Sequence, residues 1–225
     1  MKQEILGQIH RLFDYKNNSF TPIILTGKIN NEIPFNITKI TAETLAELKA
    51  KILYVDLNST YTNNSQDLSL FFDNKLLLDE TIIENDSFFH TIILHKNYFS
   101  KIFDFDNLNY FTENLKKISS YYDLILINYN SIIDEYLLYL ATISNYILFS
   151  ITPSVKDIMD AYSAIKMFQN NNLELNYLIQ IYNSEDDEDA NIAFLNLNKA
   201  TLHFLNIELI FAGNLNKGFD YNYKL

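Results

Sequence analysis

Short, unbroken apolar runs alternate with amphipathic stretches along the middle of this chain. Leu124–Ile127 and Tyr146–Ile151 are continuous apolar runs, which are typical of strands covered on both faces in a parallel sheet. Ile132–Ser144 lies between them and is typical of a helix. An amphipathic segment follows the second run, with one stripe formed by Val155, Ile158, Met159, Tyr162 and Ile165. Strand, helix, strand and helix in this order predict a right-handed parallel crossover.

The same alternation continues on both sides of this central unit. Further strands are predicted at Pro22–Thr26, Ile52–Val55, Thr91–Leu94, Tyr177–Tyr182 and Glu208–Phe211. Further helices are predicted at Met1–Lys16, Asn36–Ala50, Leu108–Ser119 and Ser184–Leu205, with Ser184 as the cap of the last one. The pattern therefore predicts an α/β fold, a mostly parallel sheet flanked by helices on both faces. We expect residues 1–19 to form an amino-terminal helix and linker, and residues 20–225 to form one α/β domain.

A ligand of such a sheet is expected beyond the carboxyl ends of its strands. In the central unit these ends are predicted at Asn128 and Ile151. Asn128–Ser131 and Thr152–Lys156 should therefore line any binding cleft.

Composition and charge exclude several classes of function. Among 225 residues there is no cysteine, so neither disulfides nor thiol chemistry are expected. The net charge of −11 disfavours nucleic-acid binding, which requires phosphate neutralisation by Lys and Arg. No apolar run has transmembrane length, the amino terminus lacks the apolar core of a signal peptide, and the four histidines show no metal-ligand spacing. We expect a cytoplasmic protein with no metal site and no membrane anchor of its own.

The loop after the first strand is where a phosphate-binding loop belongs. Such a loop uses several glycines, a lysine and a Ser or Thr, so that backbone N–H groups, an ammonium and a hydroxyl face phosphate and magnesium. Here the loop contains Gly27 as its one glycine, Glu32 adds negative charge, and Pro34 removes a backbone donor. The loop therefore indicates a weak or absent phosphate site.

These residues carry a resemblance to the MinD/ParA-type deviant P-loop ATPases (the SIMIBI class), and within them to FlhG (YlxH), which regulates flagellar number and placement. The family motif has the form S-G-K-G-G-V-G-K-[ST]. Gly27 and Lys28 match its beginning, so that Lys28 falls on the signature lysine that reaches ATP across a dimer. Ile33 then replaces the phosphate-binding lysine, and Pro34 replaces the magnesium-binding Ser or Thr.

Two later motifs of the family are also altered. Its second strand ends in D-A-D-x-G-x-A-N, where this chain keeps Asp56 but has Asn58 in place of the second Asp. Its third strand ends in Y-D-x-I-I-I-D-T, and the Asp that orients magnesium and water is Asn128 here. The resemblance thus implies that Lys28, Asp56, Asn58 and Asn128 are the remnant of a nucleotide site.

The resemblance to FlhG depends on two segments. The family carries D-A-Y-x-x-I-K after its fourth strand, and Asp160–Lys166 reads DAYSAIK. Gln8 and Leu12 match part of an amino-terminal element that engages the signal-recognition-type GTPase FlhF in the family. An ordinary amphipathic helix packed on the domain remains the alternative interpretation of Met1–Lys16.

The resemblance implies a degenerate pseudo-ATPase without catalytic residues or a bound cofactor. It would act through a protein partner, an FlhF-like GTPase or a flagellar basal-body component, in flagellar or polar organelle assembly. Such partners would recruit it to the cell pole or the inner membrane. Two alternatives stay open: a weak nucleotide-dependent switch that uses ATP and magnesium, and a pilus-localisation protein similar to TadZ/CpaE.

Overall fold

The sheet contains eight strands in the described part of the chain. The structure is a computed structural model, and it describes residues 23–28, 37–60, 65–98, 104–132, 134–171 and 173–216. The strands are β1 Ile23–Lys28, β2 Ile52–Ser59, β3 Ile83–Glu84, β4 Phe89–His95, β5 Leu124–Ile132, β6 Tyr146–Ile151, β7 Asn176–Ser184 and β8 Ile210–Asn216. Their spatial order is β3-β4-β2-β5-β1-β6-β7-β8, and every neighbouring pair is parallel except β3 with β4. The predicted α/β class with a mostly parallel sheet is confirmed.

Six α-helices with fully described bounds connect these strands, and residues 96–98 are helical as well. They are α1 Ile37–Glu47, α2 Ser69–Phe72, α3 Phe105–Ser119, α4 Glu135–Ala141, α5 Val155–Asn170 and α6 Asp187–Leu205. A short 3₁₀ turn, Asp79–Thr81, precedes β3. No helix in the described ranges is both long enough and apolar enough to cross a membrane.

Alternate residues of each central strand enter two different cores, as the two-residue period of a strand requires. The larger core joins residues such as Ile127 and Phe149 to helices α2 through α6. The smaller core joins Ile24, Leu126 and neighbouring strand residues to Ala42, Leu45 and Ala46 of α1. Because both faces are covered, the central strands read as continuous apolar runs.

Side-chain caps set where four helices begin. Asp104 accepts a hydrogen bond from the Asn107 N–H at the start of α3, and Asp134 accepts from the Tyr136 and Leu137 N–H groups at the start of α4. The caps of α5 and α6 are Ser154 and Asp186. A capping oxygen satisfies backbone donors that have no partner within the helix.

Several predicted boundaries were wrong. The cap of α6 is Asp186, because Ser184 is still the last residue of β7 and is fully buried. The helix predicted from Ile132 begins only at Glu135, because Ile132 pairs with Lys28 in the sheet. The antiparallel edge strand β3 has no counterpart among the predicted strands. The proposed boundary near residue 19 lies outside the described residues and stays a prediction.

Candidate functional site

Register brings three strands together at one level of the sheet. Asn128 of β5 is paired with Thr26 of β1 on one side and with Asp56 of β2 on the other. Regular pairing of β1 with β5 shifts after Thr26, and that of β2 with β4 shifts after Asp56. These irregularities mark the carboxyl edge of the sheet, where ligands of parallel sheets bind.

Asn128 is buried, with 4% of its surface exposed, and its side chain is held by neighbours on both flanking strands. Its Nδ2 donates to the Tyr54 hydroxyl at 3.0 Å and to Oδ1 of Asp56 at 3.2 Å. Its Oδ1 accepts a hydrogen bond from the Thr26 hydroxyl at 3.2 Å. Both amide hydrogens and the amide oxygen therefore have partners.

Helix α1 contributes one more hydroxyl to this group. The Thr38 hydroxyl donates to that of Thr26 at 3.4 Å, and Thr38 and Thr26 are both buried. We call Thr26, Thr38, Tyr54, Asp56 and Asn128 the polar cluster. It ties three strands to the amino-terminal turn of α1.

Burial and charge keep Tyr54 in its neutral form. Burial raises the pKa of the Tyr54 hydroxyl well above its usual range, and the Asp56 carboxylate raises it further. The hydrogen bond from Asn128 opposes these two effects only in part. The phenol is therefore a stable hydrogen-bonding group near neutral pH and does not act as a base.

A second buried chain of polar groups links α1 to the other half of the sheet. The Ser150 hydroxyl donates to Oε1 of Gln180 at 3.0 Å, and Nε2 of Gln180 donates to the Thr41 hydroxyl at 3.3 Å. All three residues are buried. Two polar contacts thus hold α1 over the carboxyl half of the sheet.

The other predicted side of the cleft, Thr152–Lys156, forms a helix cap. Asp157 is 1% exposed, and its Oδ2 accepts from the N–H and the hydroxyl of Thr152 at 2.9 and 2.7 Å. The Asp157 N–H in turn donates to the Ser154 hydroxyl at 3.1 Å. Ser154 therefore caps α5, and Asp157 in the first turn holds the preceding Thr152, so the polar groups of both residues stabilise the start of α5.

The residues predicted as a nucleotide-site remnant lie on the three central strands. Asp56 and Asn128 are in direct contact, as described above. Asn58 lies two residues beyond Asp56 in β2, and Lys28 is the last residue of β1. For these two residues the structure describes the strand backbone and not the side chain. Gln8 and Leu12, the predicted partner-binding residues, lie outside the described residues, as do Ile33 and Pro34 of the loop.

Sequence reasoning missed Thr26, Thr38 and Tyr54 as members of the polar cluster. Tyr54 lies two residues before Asp56 and thus on the same face of β2, which was a usable signal. Thr26 offered a weaker one, since threonine is common in strands. Thr38 was assigned only to a helix, and its contact depends on how α1 packs.

This fold is that of the MinD/ParA-type P-loop ATPases. A putative plasmid partition protein from Borrelia burgdorferi B31, bound to AMPPNP, superposes with a TM-score of 0.70 at 18% identity, covering 92% of this chain and 91% of that one. A Cyanothece McdA–ATP complex gives 0.69 at 11% identity, with 88% and 84% covered. Aquifex aeolicus MinD, in complex with MinC, gives 0.63 at 15% identity, with 84% and 79% covered.

These similarities establish the fold alone, because all three identities are low. No protein-family model matches the sequence. No curated protein matches it either.

Proposed function

We propose that this chain is a pseudo-ATPase of the MinD/ParA fold that acts through contacts with other proteins. The observation that carries the proposal is the hydrogen bonding of Asn128. The resemblance places a magnesium- and water-orienting Asp at this position. The amide present here instead donates to Tyr54 and to Asp56.

The described side chains of the polar cluster do not fit a magnesium nucleotide. Phosphoryl transfer requires cations against the phosphates and acidic or hydroxyl ligands for the metal. The cluster contains three hydroxyl groups, one amide and one carboxylate, and the carboxylate of Asp56 accepts the Asn128 amide. A metal that took Oδ1 of Asp56 would displace one N–H of that buried amide from its acceptor, while the other N–H kept its bond to Tyr54. We therefore assign no nucleotide chemistry to this edge.

The flagellar part of the proposal depends on the resemblance to FlhG. In the matching segment Asp160–Lys166, Ala161 and Ile165 are fully buried and pack in the larger core. The match at these two positions therefore reflects how α5 packs in the core, and it is weak support for a particular partner. We propose an FlhF-like GTPase or a basal-body component as the partner, with Gln8 and Leu12 as the contact residues. Recruitment to the cell pole or inner membrane would follow from that contact.

A nucleotide-dependent switch is the second candidate. It is favoured by the fold neighbours, of which the Borrelia protein was solved with AMPPNP and the Cyanothece protein with ATP. This candidate requires Lys28 and residues of the 29–36 loop to bind phosphate, and Asp56 to act on the magnesium ion or its water.

Thermal unfolding with magnesium and ATP separates the two candidates. A ligand that binds the folded state at 100 times its Kd stabilises it by about 2.7 kcal/mol. For a chain of this size that would raise the Tm by roughly 5–10 °C. We expect a shift of no more than about 2–4 °C at about 5 mM ATP, and calorimetry should detect no binding tighter than about 1 mM, since several charge-assisted contacts are absent. Micromolar binding that Lys28→Ala or Asp56→Ala removes would establish the switch instead.

Capture of a purified FlhF-like GTPase tests the partner separately. We expect the full chain to retain the GTPase and the Gln8→Ala/Leu12→Ala variant to lose it. Leu77→Ala is a matched control, because Leu77 is exposed and distant in sequence. Equal capture by all three proteins would reject the proposed contact, whatever the nucleotide result.

A further inference from the structure

Helix α6 exposes a row of large aliphatic side chains on its outer face. Ile192, Leu195 and Leu202 are 52%, 47% and 50% exposed. The inner face of the same helix is buried through Ala190, Ala193, Leu197 and Thr201. The outer face of a surface helix is normally polar, so this apolar row indicates a missing partner.

The spacing of the row is that of a coiled-coil seam. Ile192, Leu195, Lys199 and Leu202 follow one another at intervals of three, four and three residues. In heptad notation Ile192 and Lys199 occupy a positions, and Leu195 and Leu202 occupy d positions. Apolar residues at a and d form the seam between paired helices, and a single polar Lys at an a position specifies their register.

The charges on α6 indicate what the partner is. Glu188 lies four residues before Ile192, and Lys199 lies four residues after Leu195. Both are exposed, and neither has an ion-pair partner among the described residues. If two copies of α6 pair antiparallel with Ile192 opposite Leu195, each Glu188 meets the Lys199 of the other copy.

Two-fold symmetry produces this ion pair twice, once at each end of an Ile–Leu centre. The wider charge pattern agrees with the antiparallel direction. Asp187, Glu188 and Asp189 lie in the first turn of α6, and His203 lies in the last. The acidic end of one helix would thus face the basic end of its neighbour, with opposed helix dipoles.

We propose that the outer face of α6 is a self-association surface that binds a second copy of this chain antiparallel. An anionic membrane is a poorer occupant, because the acidic first turn would be repelled. Helix α6 packs on the larger core through its inner face, whereas the polar cluster lies under α1 on the opposite face of the sheet. The two features are therefore independent. One helix per copy is a small interface, so we expect a Kd on the order of tens of micromolar.

Sedimentation equilibrium of the full chain with charge variants tests the register. Lys199→Glu and Glu188→Lys should each weaken dimerisation about tenfold, because each places like charges together. The double exchange should return the Kd to within about threefold of the original. Lys116→Glu on the exposed surface of α3 changes the net charge by the same amount as Lys199→Glu and should have no effect.

Cysteine cross-linking tests the direction, since the natural chain has no cysteine. An equimolar mixture of Ile192→Cys and Leu195→Cys should form the disulfide dimer faster than either variant alone. Faster cross-linking of the single variants would indicate parallel helices and overturn the proposal. Three other results would overturn the proposal. The chain could remain a monomer at several hundred micromolar, or it could form a dimer that Lys199→Glu does not weaken. It could also bind anionic vesicles through α6 without associating with itself.

Discussion

Asn128 shows how one amide can organise the carboxyl edge of a sheet. It donates to a phenol and a carboxylate and accepts from a hydroxyl, so three strands are joined through one side chain. An Asp at this position would have no N–H to donate and would place a second negative charge against Asp56. The residue that departs from the family motif is therefore also the one that stabilises the cluster.

The variant Asn128→Asp should consequently lower the free energy of unfolding by roughly 2–3 kcal/mol at pH 7. The pKa of the new carboxyl would be raised in the folded state above its unfolded value of about 3.9. The charge-dependent part of the penalty is therefore absent below pH ~4, where the group is protonated in both states, and grows as the pH rises toward the folded pKa. Urea unfolding from pH 4 to 8 measures it.

The exchange Asp56→Asn/Asn128→Asp is the matched control for this prediction. It restores one amide and one carboxylate in the same contact, so most of the lost stability should return. A single variant that is as stable as the natural chain at pH 7 would show that the cluster does not hold Asn128 as described.

Tyr177 offers a second prediction about a single residue. Its hydroxyl is buried and has no hydrogen-bond partner among the described residues, and burial raises the pKa of Tyr177 to about 12. Removing an unsatisfied polar group from a core is neutral or stabilising. Tyr177→Phe should therefore leave the free energy of unfolding unchanged or raise it by about 1 kcal/mol.

Tyr122→Phe is the matched comparison in the same urea titrations. The Tyr122 hydroxyl is 3.0 Å from Nδ1 of the buried His90, so its removal breaks a hydrogen bond. We expect that variant to lose about 1 kcal/mol. Equal losses for both tyrosines would mean that Tyr177 also has a partner.

Among the elements, α6 depends on a cap that the sequence pattern misplaced. Asp186 has extended backbone geometry, and its Oδ1 accepts the Asp189 N–H at 2.8 Å. Asp186→Ala should cost about 1 kcal/mol of unfolding free energy, whereas Asp186→Asn keeps an accepting oxygen and should cost only a few tenths. Thermal and urea unfolding measure both variants. A full loss in Asp186→Asn would mean that the charge, and not the cap, stabilises the helix start.

Hydrophobic periodicity predicted the type of most elements but not their ends. β5 runs to Ile132 through Asn128 and Asn130, because backbone pairing in a sheet does not require apolar side chains. The same holds for β2, which runs through Asp56 and Asn58 to Ser59. Polar residues near a strand end read as loop in a sequence, and only the register shows that they are paired.

The candidate site was predicted in the same partial way. The family motif assigned Asp56 and Asn128 to one remnant site, which stays a prediction, and the register pairs these two residues directly. Their contacts with Thr26 and Thr38 depend on the packing of β1 and α1, which no local pattern contains. Sequence reasoning thus predicted which edge of the sheet carries the site, but it did not predict the hydrogen bonds of the polar cluster there.

For the whole molecule, the remaining question is what controls association. In the MinD/ParA family that this sequence resembles, ATP draws two subunits together through the P-loop side, whereas the pairing proposed here uses the outer face of α6. We therefore expect light scattering to show the same mass with and without ATP and magnesium at every protein concentration. Mass should rise with concentration in both series, because a weak dimer forms by mass action.

Lys199→Glu makes this experiment decisive. It should remove the concentration dependence equally in both series, since it changes only the α6 face. Dimerisation on addition of nucleotide could persist in Lys199→Glu but disappear in Lys28→Ala. That result would contradict the pseudo-ATPase proposal, because it would show that nucleotide drives dimerisation through the P-loop side. An unchanged mass in both series of the natural chain, at concentrations well above tens of micromolar, would instead reject the α6 pairing while leaving the pseudo-ATPase proposal intact.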